Sequence, residues 1–193
     1  MRVAPAEYLR LRLRAHELLR DVPVHDVSVV DLPGGGTGRT IADIRRLESA
    51  TPPSRIAKVL FGLRFHLGDV FGWDRDPMRP EHSLASKLSD QDRRESEVPP
   101  GTPLGGFRIL YQFPREMVSE IRNATVQAYL SVALAPTATG YRLYWAVYVL
   151  PISWLTRPYL LAIEPFRRFL LYPAMLRRLR GAWTAAYAGT EPR

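Results

Sequence analysis

A change of period near residue 151 constrains this chain more than any other feature. Across 105–150 apolar and polar residues alternate, the period of two that strands require. Across 152–187 the spacing becomes helical, broken by Pro158, Pro165 and Pro173. A strand over 22–32 and two helices over 40–72 precede them. This order predicts an α+β fold in which a curved antiparallel sheet wraps on one long, kinked C-terminal helix.

Within the alternating region, Phe107, Ile109, Tyr111 and Phe113 share one face, and 116–122 returns across Pro114-Arg115. Val126, Ala128, Leu130, Val132 and Leu134 form the cleanest apolar row. The opposite row, Thr125, Gln127, Tyr129, Ser131 and Ala133, is polar enough to line a wet pocket. The strand over 141–150 is apolar on both faces, which places it centrally. The closing helix presents Leu155, Tyr159, Ala162, Phe166 and Phe169 on one side. Glu164 and Arg168 lie nearly opposite as an i,i+4 pair. Arg177 and Arg180 return to the apolar side, so that face rotates or ends beyond Pro173.

Upstream, leucines at 9, 11 and 13 alternate with arginines, which predicts a weakly packed helical arm over 1–21. The glycine-rich stretch 33–40 fails as a phosphate loop, because Arg39 stands where the lysine belongs and Gly34 is misplaced by one residue. It is read as a turn into a helix that Thr40 and Asp43 cap and that Ile41, Ile44 and Leu47 bury. Thr51-Pro52 opens a second helix, with Ile56, Leu60, Leu63, Leu67 and Val70 within about 80°. Five prolines between 72 and 103 predict a long loop or lid at about 72–105, with one helical turn near Ser83. The domain proper spans 22–187, and 188–193 is a tail.

The composition removes whole classes of function. There is no cysteine, so disulfides, thiolate metal sites and a cysteine nucleophile are excluded. The four histidines (16, 25, 66 and 82) lack ligand spacing, and no metal or cofactor is expected. Net charge is +8, carried by arginines with only Lys58 and Lys87 besides. These are scattered without a basic-aromatic motif, so no nucleic acid is expected. Arg10, Arg12 and Arg14 interrupt the start of the chain as a signal peptide would not allow, and the longest uncharged stretch, 143–156, is too short to span a bilayer. The expected location is cytoplasmic.

The segments Leu60-Phe61-Gly62-Leu63-Arg64 with Leu67-Gly68, the strand over 141–149, and Glu164-Pro165-Phe166-Arg167 with Met175-Leu176-Arg177-Arg178 resemble the bacterial family known as domain of unknown function 2867. The resemblance covers about residues 22 to 180. It implies kinship with START-like, helix-grip proteins, in which a curved antiparallel sheet grips a C-terminal helix. That family often has histidine where this chain has Arg167, and another entering the strand that here begins Ala124-Thr125-Val126. It supplies no reaction to carry over.

The leading functional expectation is a small apolar or aromatic ligand held between sheet and closing helix. Arg64, Trp73, Tyr111, Tyr144, Trp145 and Phe166 are the candidate ligand contacts. A second expectation is a cofactor-independent cyclase, isomerase or lyase in the same pocket. Its candidate groups are His66 beside Asp69, Tyr111 and Arg122. A third, ranked below these, is a basic membrane-surface or interaction protein using Arg10, Arg12, Arg14 and Arg20 with Arg177, Arg178 and Arg180. A homodimer is compatible with all three.

Overall fold

In a computed structural model the chain is described over residues 1–50, 82–122, 126–152, 154 and 156–187, with the backbone alone at 157, 159 and 162. Six strands form one antiparallel, open, curved sheet in the order β1-β6-β5-β4-β3-β2. They are β1 (Val24–Pro33), β2 (Thr102–Leu104), β3 (Phe107–Gln112), β4 (Glu116–Arg122), β5 (Val126–Thr137) and β6 (Gly140–Pro151). The expected meander of four strands is present, and β6 lies inside the sheet between β1 and β5. The β1 edge is covered by the chain's own start. The Met1 amine donates to Val29 O and Val3 N donates to Val27 O at 3.1 Å, so the backbone of 1–3 continues the ladder.

Because strand side chains alternate, the sheet has two buried faces. One carries Leu32, Leu130, Val132, Leu134, Leu143 and Val147. It is covered by α3 (Ile41–Ala50) and by the last helix, α6 (Tyr172–Tyr187), through Ile41, Ile44, Leu179 and Trp183. The cap of α3 forms as the sequence predicts, with Thr40 N donating to Asp43 Oδ2 at 3.0 Å.

The glycine stretch is a turn, with Gly34, Gly35, Gly36 and Gly38 all at positive φ. Gly35 must be glycine, because a Cβ there would lie 2.6 Å from the Trp183 ring. Arg39 is no phosphate anchor. Its Nε donates to Gly35 O at 2.6 Å and its guanidinium lies 4.0 Å from the Tyr187 ring centre.

The other face carries Val27, Val29, Tyr111, Val118, Tyr129, Tyr144 and Tyr148, and here the expectation of a weakly packed arm is corrected. Residues 1–21 form two short helices, α1 (Pro5–Leu9) and α2 (Arg14–Leu18), packed on the sheet. Tyr8, Ala15, Leu18 and Leu19 are buried. The Tyr8 hydroxyl donates to Ser131 Oγ at 2.7 Å, so the polar row meant for a wet pocket is filled by the chain's own tyrosine. Arg14 N donates to Glu116 Oε1 at 2.8 Å, anchoring α2 on β4. A break in the helix at 11–13 hides this packing from a helical period.

The described part of the expected loop, 82–105, is also ordered. It holds a 3-10 turn at Leu84–Lys87, where one turn was expected, then α4 (Asp90–Glu95) and β2. Ser83 and Leu84 bond Glu120 of β4, and Glu97 N donates to Gln112 O at 2.8 Å. Asp92 is not a solvated charge. It is buried and forms a two-pronged pair with Arg14 at 3.0 and 2.9 Å, which lowers its carboxyl to a pKa of about 2.

The closing helix is one helical run in three pieces: α5 (Thr156–Phe166), a π turn (Arg167–Leu171) and α6. Tyr172 N–H bonds Arg167 O, five residues back, and Pro173 next in line has no N–H to give. That wider turn rotates the face. Beyond it Leu176, Leu179 and Trp183 are buried, so of the two alternatives that Arg177 and Arg180 leave open, the face rotates and does not end. Before and within it the expectation fails, because Phe166 is 48% and Phe169 is 68% exposed. The helix is gripped by the sheet along α6.

Candidate functional site

The candidate contacts do not converge on one point. Tyr111 is fully buried on the α1–α2 side, stacked on Phe113 with ring centres 4.5 Å apart and its hydroxyl 3.3 Å from Glu116. Tyr144 lies on the same face and donates to Glu7 Oε1 at 3.0 Å. Trp145 packs at the edge of the opposite face. Arg122, at the end of β4, donates to Gln127 Oε1 at 2.9 Å. Phe166 faces solvent. Arg64, His66 and Trp73 lie outside the described residues, as do 51–81 as a whole and the 188–193 tail.

Polar side chains meet instead where the first strand passes the π turn. The register of β1 on β6 slips between Val24, opposite Tyr148, and Asp26, opposite Val147. This bulge re-aims His25 and Asp26 out of strict alternation. Both then reach the closing helix. His25 Nε2 lies 3.1 Å from Glu164 Oε2, and Arg167 Nη2 donates to Asp26 Oδ2 at 2.9 Å. Arg167 also donates to the Tyr172 hydroxyl through Nε and Nη2, at 2.8 and 2.6 Å, and its Nη1 is 3.6 Å from Glu164. The expected Glu164 to Arg168 pair gives way to these partners, because the π turn carries Arg167 toward the sheet.

Burial sets the electrostatics. Asp26 is only 5% exposed, and desolvation raises its carboxyl above the usual range, partly offset by Arg167. Burial also pushes the Tyr172 phenol up to about 12, so it stays a neutral hydroxyl. The second Asp26 oxygen, Oδ1, is buried and has no hydrogen-bond partner among the described residues. Such an unmet acceptor costs about 1–3 kcal/mol.

Beside this cluster lies a cleft of about 150 Å³ between β1 and the closing helix, its walls including Arg2, Asp26, Ser28, Glu164, Arg168 and Tyr172. A wider depression of about 470 Å³ runs along α3 beside Arg45 and Glu48. It borders the point where the chain leaves α3, and its walls are incomplete among the described residues.

His25, Asp26 and Glu164 each offer a metal-ligating atom, all within 4.8 Å of one another. Arg167 already contacts both carboxylates, so its guanidinium takes the position of the cation. The arrangement suits hydrogen bonding and proton transfer better than metal binding.

Sequence reasoning missed His25, Asp26 and Tyr172. The adjacent polar pair His25-Asp26 inside a strand was the available signal. In the sequence Arg167 stands out only as a departure from histidine.

No curated protein and no solved structure matches the chain. A family model does match, over residues 18–174, a span that contains all five residues of the cluster. The chain belongs to the family described as Protein of unknown function (DUF2867).

Proposed function

We propose that this protein binds a small molecule in the cleft between β1 and the closing helix, held by a polar head group that donates a hydrogen bond to Asp26. The observation that carries this is the unpartnered Oδ1 of a carboxylate that is 5% exposed at the wall of a cleft. A ligand N–H or O–H satisfies that atom, whereas an apolar group leaves its desolvation cost standing. The volume, about 150 Å³, is that of a cavity that takes up benzene. It accepts a compact head group while the rest of a larger molecule extends outward. The geometry thus favours a polar anchor over the apolar or aromatic ligand that the sequence suggested.

A second reading, an enzyme in the same cleft, is favoured by the His25–Glu164 pair. An imidazole held by a carboxylate at 3.1 Å has the arrangement of a general base. Tyr172 and Arg167 beside it supply donors for a developing negative charge.

A fragment library of small amines, polyols, amides and simple aromatics, screened by ligand-observed NMR, tests both. Donor-bearing fragments should bind, and Asp26→Asn should weaken them about tenfold or more. Preferential binding of aromatics without donors, unaffected by Asp26→Asn, would refute the polar anchor. If a bound fragment is also turned over, His25→Ala should remove turnover and retain binding. Turnover that survives His25→Ala rules out the general-base role.

A further inference from the structure

The structure points to a membrane-docking surface on the first part of the closing helix, and we infer that Trp154, Leu161, Phe166 and Phe169 seat this protein on an anionic lipid bilayer. Pro158, Leu161, Pro165 and Phe169 recur at intervals of three, four and four residues, the spacing of one helical stripe, and Trp154 stands in the turn that leads into it. All five are exposed, Trp154 at 82%, Leu161 at 75% and Phe169 at 68%. Phe166 and Leu170 flank them at 48% and 41%. Single exposed apolar residues need no explanation, but a contiguous row this large marks an interaction site.

Charge selects the partner. Residues 152–187 contain six arginines (157, 167, 168, 177, 178 and 180) and one acid, Glu164. Glu164 faces inward, paired with His25, and Arg167 is committed to Asp26. The outer surface is therefore basic. Arg168, Arg177 and Arg180 are exposed, and the Arg168 guanidinium lies 5.3 Å from the Phe169 ring centre.

Two copies meeting along this helix would bring these arginines together with no exposed acid on the helix to balance them. A headgroup layer carrying negative charge complements both features. Apolar side chains enter the boundary between headgroups and chains, and arginines meet the phosphates. Tryptophan favours that boundary, with its ring in apolar surroundings and its N–H toward water. The helical run over 156–171 is about 24 Å long and lies flat. Among the described residues no helix is long and apolar enough to cross a membrane. This surface is distinct from the arginines at the chain start, where Arg14 is tied to Asp92. It does not depend on what the cleft binds.

The test is co-sedimentation of the full chain with vesicles of phosphatidylcholine alone and of phosphatidylcholine with phosphatidylglycerol in equal parts. Binding should require the anionic lipid and fall steeply with added salt. The double variant Leu161→Glu/Phe169→Glu should bind on the order of a hundredfold more weakly. Both positions are solvent-facing, so its circular dichroism and melting should match the parent. Trp154 emission should shift to the blue on binding, and a Trp154→Phe protein should lose that change. No binding to anionic vesicles, or equal binding by the double variant, would overturn the inference. So would self-association of the parent without lipid that the double variant abolishes, because the surface would then serve a second copy.

Discussion

Leu176, Leu179 and Trp183 of α6 are buried against the sheet, whereas Leu161, Phe166 and Phe169, a few turns earlier in the same helical run, stand in solvent. The earlier stretch is the more apolar of the two, so hydrophobicity alone does not decide which half is core. The π turn decides it. An extra residue per turn at Arg167–Leu171 rotates the helix, directing α6 into the groove beside α3 and leaving α5 with its apolar stripe outward. At the joint, Arg167 is drawn inward to Asp26 and Tyr172, and the cleft opens beside it. The half after the joint holds the fold together. The half before it turns Leu160 and Glu164 inward and leaves an outer apolar row free for binding.

The sharpest way to break this comparison is Trp183→Ala. The indole is fully buried, donates to Pro33 O at 3.0 Å and meets the Tyr141 and Tyr187 rings. Its loss should cost about 3–5 kcal/mol in urea unfolding, and a cost near zero would place α6 off the sheet. Gly35→Ala probes the same contact from the other side. Positive φ and the close approach to Trp183 should together cost about 2–3 kcal/mol.

Acid offers a third probe, on the opposite face. Asp92 is held at a pKa of about 2 by Arg14, below its ordinary 3.8. A lowered carboxyl stabilises the fold above pH 4, and that part is lost as pH falls toward 2. It should amount to about 2 kcal/mol and be absent in Arg14→Met, read as the difference between the two proteins in urea unfolding from pH 5 to pH 2. Smallest of all should be Phe169→Ala and Leu161→Ala, each within about 0.5 kcal/mol of the parent. A loss as large as that of Leu179→Ala would show that α5 or the π turn is core.

The strands were legible because their period of two survives in sequence, from the β3–β4 turn at Pro114-Arg115 to the doubly covered β6. The coverings were not. Tyr8, Ala15 and Leu18 lie in two five-residue helices, too short to display a period, and Leu19 caps the second. Order over 82–104 comes from partners far away in sequence, such as Asp92 with Arg14 and Gln127 Nε2 with His82 O at 2.6 Å. No local pattern encodes such pairs. A uniform 3.6-residue period places Phe166 and Phe169 inward, but the helical run is wider at Arg167–Leu171. The site was hidden for a related reason, since His25 and Asp26 sit at a bulge, where the period of two fails.

Hydrogen exchange along residues 156–187 of the full chain measures the division most directly. Amides from Leu176 to Trp183 should exchange at rates approaching global unfolding, while those of Thr156 to Leu171 should open locally and exchange orders of magnitude faster. Uniform protection across both halves, or slower exchange before the π turn than after it, would contradict a helix whose buried apolar anchors lie along α6.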